Sequence, residues 1–530
     1  MLGTRTVGGG GCMGSTARGG KPASHASARC SRVLVNAKAK TSAQNHKKDG
    51  RAKPISESAD DMYQLYTAPD FLMKPQVSPA IQLQQFTAGK GRGLVAKGGV
   101  IPGDLLLVSQ PVGRVVCGPE GASLRPEQLI PHLQAEGALS DADKARLSLL
   151  FDGTPESGQR PISFKDFSTA LNGGTGASAK DSAAPKGFGV KAKPAPPPVP
   201  VDEITGKRLE DIVRFNCWGI EYADFAAAPL RKQQSHSYIG VWPEFSLLNH
   251  SCIPNTQPVL IGDRLLLRAA SNIPEGGELT TSYLGLAGGY PVAERRKQLS
   301  TTYGFTCNCA RCKTESAAPE NVIEALERMW NRILDENVVQ KAQELIMSTS
   351  PEATSKLQQL QQELEKEVAA FEGLLEQHAL DMRVRQWLRS SAYATYELLA
   401  VCRDEQESAR GQVSSSGDQG EASSSGRVPV ICSDEQPESL MPLISVISPA
   451  SDTHLYLALE WLERAGKKYG SGHEKTKTAS QACLAAHLMR YGRVPNELLS
   501  QLIMARSQVE YNLGRVNLPS PSAASLSAAA

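Results

Sequence analysis

Residues 303–312 read Tyr303-Gly304-Phe305-Thr306-Cys307-Asn308-Cys309-Ala310-Arg311-Cys312, three thiols in C-x-C-x2-C spacing. The chain has 11 cysteines, an odd number, and most of the others (Cys117, Cys217, Cys402, Cys432, Cys483) stand alone. Isolated thiols without a secretory apolar segment point to a reducing compartment rather than a disulfide scaffold. The cluster is the exception. A closed structural zinc site needs four ligands in a tetrahedron. Three are local here, and the fourth must come from elsewhere. Cys252, in Leu247-Leu248-Asn249-His250-Ser251-Cys252-Ile253-Pro254-Asn255-Thr256, is the candidate. An all-sulfur shell leaves no open position for water, so a structural ion is expected rather than a catalytic one. Binding free energy of roughly 10 kcal/mol or more would pin residues 303–312 against the loop after His250.

Three other elements carry polar chemistry beside apolar runs. Asn249-His250 offers a carboxamide and an imidazole at a buried strand end, although such a pair alone is more often a satisfied structural pair. Gly277-Glu278-Leu279-Thr280-Thr281-Ser282-Tyr283 places a phenol after a short strand. Gly91-Arg92-Gly93-Leu94-Val95-Ala96 satisfies a dinucleotide fingerprint, but a helix must begin there for the pyrophosphate to meet its N-terminus. Gly98-Gly99 and Pro102-Gly103 would break that helix, so the dinucleotide reading is rejected. A tight turn that a ligand can approach closely remains.

Around these elements the chain divides. Residues 81–117 read as strands and turns, 124–151 as helix, and 204–225 as helix again, with short strands from 239 to 283. Residues 172–200 are Gly/Ala/Lys/Pro-rich and read as an unstructured insertion. Beyond Pro319, Leu357, Leu360, Leu364, Val368, Phe371 and Leu375 recur at helical spacing, and further helices are expected to about 512. Residues 404–438 are Ser/Gly/Glu-rich and are expected to form a disordered loop. No full 34-residue repeat signature is found, so a repeat assignment rests on helicity alone.

Composition narrows the function classes. The 530 residues carry 57 Lys+Arg and 55 Asp+Glu, and 40% are hydrophobic. That is enough for real cores and for two to four domains. No run approaches the roughly 18 apolar residues of a membrane span, so no membrane partner is expected. Residues 1–48 hold nine basic residues and no acid, leaving 48 basic and 55 acidic residues for the remainder. The folded part is therefore mildly acidic, which argues against direct nucleic-acid binding. The acid-free leader, with Arg32-Val33-Leu34-Val35-Asn36-Ala37, resembles an organelle transit peptide. A basic tail with a weak nuclear signal at Lys47-Lys48 has the same composition, so plastid or mitochondrion and nucleus or cytoplasm both stay open.

Taken together and in this order, the four elements resemble a SET-domain protein-lysine methyltransferase. The match is to the SMYD-like branch, which carries a cysteine post-SET motif and a helical, tetratricopeptide-like C-terminal domain. The resemblance covers residues 80–118 and 204–312 and, more loosely, the helices to about 512, where Lys468-Tyr469-Gly470-Ser471-Gly472-His473 is similar to a turn of that domain. It implies an α+β chain. A basic leader (1–60) would be followed by a mainly-β SET domain (80–290) with a helical and low-complexity insertion (119–203). A post-SET zinc segment (291–316) and an all-α helical-repeat domain (318–512) would complete it. The implied cofactor is S-adenosylmethionine, with a structural Zn2+. Lys90, Gly91, Arg92 and Gly93 would wrap its methionine end, and Asn216, Asn249 and His250 would contact it. Tyr283 would stand at the methyl-transfer centre, also against the cofactor. Phe305 would pack on adenine, and Tyr303 would wall the lysine channel. Cys252, Cys307, Cys309 and Cys312 would be the zinc ligands. The implied partners are a protein substrate with a target lysine and a peptide held by the helical domain. SMYD proteins insert a cysteine-rich MYND module in the SET domain; residues 119–203 contain no cysteine, so a chain without it is expected. The competing expectation is a catalytically inactive SET core serving as an interaction protein.

Overall fold

The computed structural model describes residues 54–512 except 87–89, 118–123, 136, 161, 167–203, 205, 221–222, 235, 336–337, 349 and 415–435. The leader up to residue 53, the Pro-rich stretch 172–200 and Cys432 lie outside the described residues. Order begins earlier than the expected leader boundary at 60. Ile55 is buried and its N–H donates to Leu105 O, Glu57 pairs with Arg268, and Ser58 caps helix α1 (Ala59–Thr67).

The strands form three small sheets among the described residues. In the first, β1 (Gln76–Val77), β4 (Leu105–Ser109), β10 (Arg264–Ala269) and β9 (Thr256–Ile261) lie side by side, all antiparallel. Leu265 and Leu267 point into the core of the β-rich domain, whereas Leu266 and Val259 pack in the core shared with the C-terminal helices. The period of two along a strand sends successive side chains to opposite faces. A sheet covered on both faces therefore reads as an unbroken apolar run, as Leu265-Leu266-Leu267 does. The second sheet has the order β2 (Ile81–Gln85), β3 (Arg92–Ala96), β11 (Glu278–Thr281), β8 (Asn249–His250). The third joins β5 (Gly113–Cys117), β7 (Ser237–Val241) and β6 (Cys217–Ile220).

Two helical expectations are corrected in their bounds. The helix expected over 204–225 is α5 (Gly206–Asn216), and residues 217–220 turn into β6. There the Trp218 ring packs on Trp242 and Phe245, with centroids 6.3 and 5.1 Å away, a tertiary contact that the local periodicity does not show. The stretch 124–151 breaks into α2 (Pro126–Gln134) and α3 (Asp141–Ser148) around Gly137, with Ser140 capping the second. A short α4 (Pro155–Gln159) follows.

Past strand β11 the chain is helical: α7 (Val292–Tyr303), α8 (Ala310–Ser316), α9 (Glu320–Asp335), α10 (Val338–Met347), α11 (Pro351–Gln377), α12 (Met382–Ser390) and α13 (Tyr393–Ser414), then α14 (Gln436–Ile447), α15 (Asp452–Tyr469), α16 (Glu474–Tyr491) and α17 (Asn496–Asn512). Helix occupies both ends of the expected loop 404–438, and residues 415–435 lie outside the described residues. Ser350 caps α11 and Pro351 starts it. Its Leu357, Leu364, Val368, Phe371 and Leu375 are buried, while Leu360 packs at the edge. None of the helices among the described residues is long and apolar enough to cross a membrane. The chain is therefore a β-rich domain followed by a helical one.

A buried ion cluster ties the two together. Asp224, just before α6 (Ala227–Leu230), accepts from Arg490 Nε at 2.6 Å and from Tyr491 Oη at 3.2 Å. Arg506 lies 3.7 Å away and bonds Asp452. Burial alone would raise the Asp224 pKa, but the guanidiniums of Arg490 and Arg506 reverse this and hold the carboxyl below its usual range. Its contribution is therefore fully present above the ordinary carboxylate pKa and lost as pH falls through the depressed folded value. Asp224→Ala leaves two buried guanidiniums to share the single, partly exposed carboxylate of Asp452 and is expected to cost about 3 kcal/mol in urea unfolding at pH 7. An unchanged midpoint would show that the cluster carries no net stability.

Candidate active site

Strand β11 is the organising element. It runs antiparallel to β3, with Glu278 opposite Val95 and Leu279 opposite Leu94. On its other side it runs parallel to β8, with Thr280 opposite Asn249 and Thr281 opposite His250. A two-residue parallel strand cannot hold its own register. Asn255 supplies the missing bonds, donating from Nδ2 to Glu278 O at 2.8 Å and accepting the Thr280 N–H on Oδ1 at 2.7 Å. Ser251 N–H donates to Thr281 O at 3.0 Å. Asn249 and His250 are thereby fixed beside residues 278–283.

His250 is buried and both its ring nitrogens are engaged. Nδ1 accepts the Tyr283 N–H at 3.0 Å, so in the neutral ring Nε2 carries the proton. Nε2 faces Cys252 Sγ at 3.2 Å. Burial lowers the His250 pKa to about 4, so the ring is neutral at pH 7. No imidazole nitrogen is left for a ligand, and any ligand contact of His250 falls to its backbone. Tyr283 donates its hydroxyl proton to Leu248 O at 2.5 Å, and burial raises its pKa. Around it stand Tyr303, with a ring centroid 4.9 Å away, Phe305 at 6.3 Å and His250 at 5.3 Å. Burial also pushes the Tyr303 phenol up to about 12.

The aromatic residues are delivered by the sulfur cluster. Cys252, Cys307, Cys309 and Cys312 have all four Sγ atoms within 4.8 Å of one another. Cys252 Sγ lies 3.9 Å from that of Cys307 and 3.6 Å from that of Cys312. Four sulfurs each 2.3 Å from one zinc would stand about 3.8 Å apart, so the set fits a tetrahedral ion. The charges beside it fit as well. Arg295, Arg311 and Glu315 are buried next to the thiols, two cations against one carboxylate. Arg295 Nη2 points at Cys312 Sγ, 3.4 Å away. A zinc with four thiolates would carry a net charge of −2, which this surplus of one positive charge would offset in part.

The glycine turn closes the opposite side. Gly91 has φ +70°, and Arg92 opens strand β3 rather than a helix. Gly93 has no room for a side chain: a Cβ there would lie 2.5 Å from Asn249 Nδ2 and 2.7 Å from Phe86 Cε2. Lys90 pairs with Glu278. The buried Arg92 guanidinium donates to Leu149 O at 3.0 Å and Arg160 O at 3.2 Å, so it braces the turn against the insertion helices. Burial lowers its pKa to about 10. Asn216 ends α5, with its Nδ2 given to Phe151 O at 2.6 Å and Ile212 O at 2.7 Å. Its amide nitrogen is therefore occupied by the chain itself. The sequence reading assigned no part to Asn255, Arg295, Arg311, Glu315 or Phe151. Only Glu278 had a visible signal, its place at the head of the 278–283 strand.

Residues 91–284 match the family model described as SET domain. The histone-lysine N-methyltransferase SMYD3 of Mus musculus is 42% identical over 95 residues, 18% of this chain and 22% of the relative. The human SMYD3 aligns to the same extent. The N-lysine methyltransferase SMYD2-A of Xenopus laevis is 35% identical over 106 residues, 20% of this chain and 23% of the relative. The aligned stretches thus span under a quarter of the length of these relatives. The chain carries a SET domain followed by a helical domain, and its four-cysteine cluster suits zinc.

Cys309→Ser removes a ligand from the cluster without touching the aromatic rings. Hydrogen–deuterium exchange over residues 303–312 is expected to rise at least tenfold in this variant and in chelator-treated wild type, since an ion held by the cluster would supply the local order. Unchanged exchange in both would mean that the segment is held by apolar packing alone.

Proposed function

We propose that this protein is an S-adenosylmethionine-dependent protein-lysine N-methyltransferase. One observation carries the reading: Tyr283 stands between the Asn249-His250 strand and the rings of Tyr303 and Phe305, beside the four-sulfur cluster. The SET-domain match and the methyltransferase names of the relatives support it.

S-adenosylmethionine supplies the methyl group from a sulfonium. What the chain must do is hold the amine, the methyl carbon and the sulfur in line, and positioning contributes much of the rate. Backbone groups of Gly91 and Gly93, with Lys90 and Arg92, form the turn proposed to wrap the amino-acid end. Asn249 is proposed to contact that end through its side chain, His250 through its backbone, and Asn216 from the end of α5. Phe305 offers a face for the adenine, and Tyr303 a wall for the lysine. The target amine must be neutral to attack, although its reference pKa is about 10.4. Tyr283 and Tyr303 keep their protons at neutral pH, so neither offers an anion that would stabilise an ammonium. Because the Tyr283 hydroxyl proton is committed to Leu248 O, its oxygen lone pairs are left to orient an amine N–H and the approaching methyl. Tyr283 thus acts by orientation and electrostatics, not as a base. The four-cysteine cluster is proposed to hold a structural zinc that fixes the aromatic wall.

The helical domain borders the approach to this centre. The turn after Tyr283 packs on it, and a Cβ on Gly288 would lie 3.1 Å from Ile447, one on Gly289 3.1 Å from Tyr393. We place the holding of the substrate protein, or of a peptide partner, on this side.

Tyr283→Phe is expected to lower turnover about a hundredfold or more on an acceptor protein, with the cofactor Kd changed by no more than about threefold. Isothermal titration and labelled-methyl transfer measure the two. Zinc-loaded, folded wild type that binds no S-adenosylmethionine would overturn the enzyme reading and leave an interaction protein.

A further inference from the structure

Glu278 heads strand β11 and lies against the glycine turn, yet the chemistry above gives its carboxylate no task. Its Oε1 accepts Asn249 Nδ2 at 2.9 Å, and its other oxygen is paired with the Lys90 ammonium. Asn249 Nδ2 also donates to Arg92 O at 3.0 Å. A carboxamide nitrogen has two hydrogens, and here both are taken. Asn249 can therefore offer a ligand only Oδ1, on which no described residue donates a hydrogen bond. An ionised carboxylate accepts and cannot donate, so with Glu278 in place the amide cannot turn over without setting oxygen against oxygen. Of the two bonds that fix the amide, the one to Glu278 is charge-assisted and the stronger. The absence of a side chain at Gly93 is what lets the pair close: a Cβ there would meet Asn249 Nδ2 at 2.5 Å and Glu278 Oε1 at 3.3 Å.

We propose that Glu278 is a positioning residue that locks the Asn249 carboxamide with its oxygen toward the ligand, so that the site selects the α-ammonium of an amino-acid-bearing ligand. The carboxylate, partly neutralised by Lys90, also leaves a negative field next to that ammonium. This rests on the proposed S-adenosylmethionine reading and adds the group that sets the polarity of its amino-acid subsite.

The test uses the full zinc-loaded chain and two probes: S-adenosylhomocysteine and its analogue lacking only the α-amino group. In Glu278→Leu, the Kd for S-adenosylhomocysteine is expected to rise about tenfold or more, the loss of one hydrogen bond to a charged group. The deaminated analogue is expected to bind wild type and variant alike, a selectivity that general loosening of the strand would not produce. Glu278→Gln keeps an acceptor oxygen for Asn249 but loses the charge and the inability to donate, so it is expected to recover only part of the lost affinity. It also serves if the leucine variant does not fold. Equal loss of both probes, no loss of either, or no recovery with glutamine would overturn the role of Glu278 alone. A wild-type chain that binds neither probe would overturn the cofactor reading and this role with it.

Discussion

Four sulfur atoms within 4.8 Å of one another, three of them on buried residues, are the constraint on which the site depends. As thiolates they would repel; as thiols they would hold each other only through weak S–H bonds. An ion would resolve both problems and set the geometry for its surroundings. Cys252 is two residues from His250, whose ring spans from that sulfur to the backbone of Tyr283. Tyr303 and Phe305 stand four and two residues before Cys307. The cluster therefore determines where the strand, the phenol and the aromatic wall stand relative to one another.

The same cluster reaches the helical domain. Ser391, after α12, accepts from Arg295 at 3.0 Å and from Arg311 at 2.7 Å, and donates to Glu315 at 2.8 Å. Arg311 also donates to Cys252 O at 3.2 Å and Gly288 O at 2.8 Å. One buried polar network thus touches the sulfurs, the turn after Tyr283 and the junction between α12 and α13 of the C-terminal domain. Partly satisfied networks of this kind are costly and fully connected ones rigid. At the far end of the interface, Asp224 with Arg490 and Arg506 does comparable work. The helical domain is accordingly tied to the β-rich domain by buried polar contacts at two places rather than by chain connectivity alone.

Much of this was legible because the informative residues are close together in sequence. The C-x-C-x2-C spacing, the Asn249-His250 pair and the 277–283 strand each announce their chemistry within a few residues. The α11 stripe was legible for the same reason, since helical periodicity is local. What stayed hidden depends on partners far away in the chain. Nothing near Asn216 reveals that Phe151 O takes its amide, and nothing near Arg92 reveals Leu149 and Arg160. The turn from helix to strand at Cys217 was missed because Trp218 is drawn off by Trp242 and Phe245, a tertiary contact that overrides local periodicity. Leu265-Leu266-Leu267 reads only as apolar until both covering layers are known.

Zinc K-edge X-ray absorption on the purified full-length chain tests the organising cluster most directly. The account predicts a first shell of four sulfur scatterers at about 2.3 Å, with no light-atom ligand. A shell containing nitrogen or oxygen, or a purified active chain that holds no metal, would contradict it.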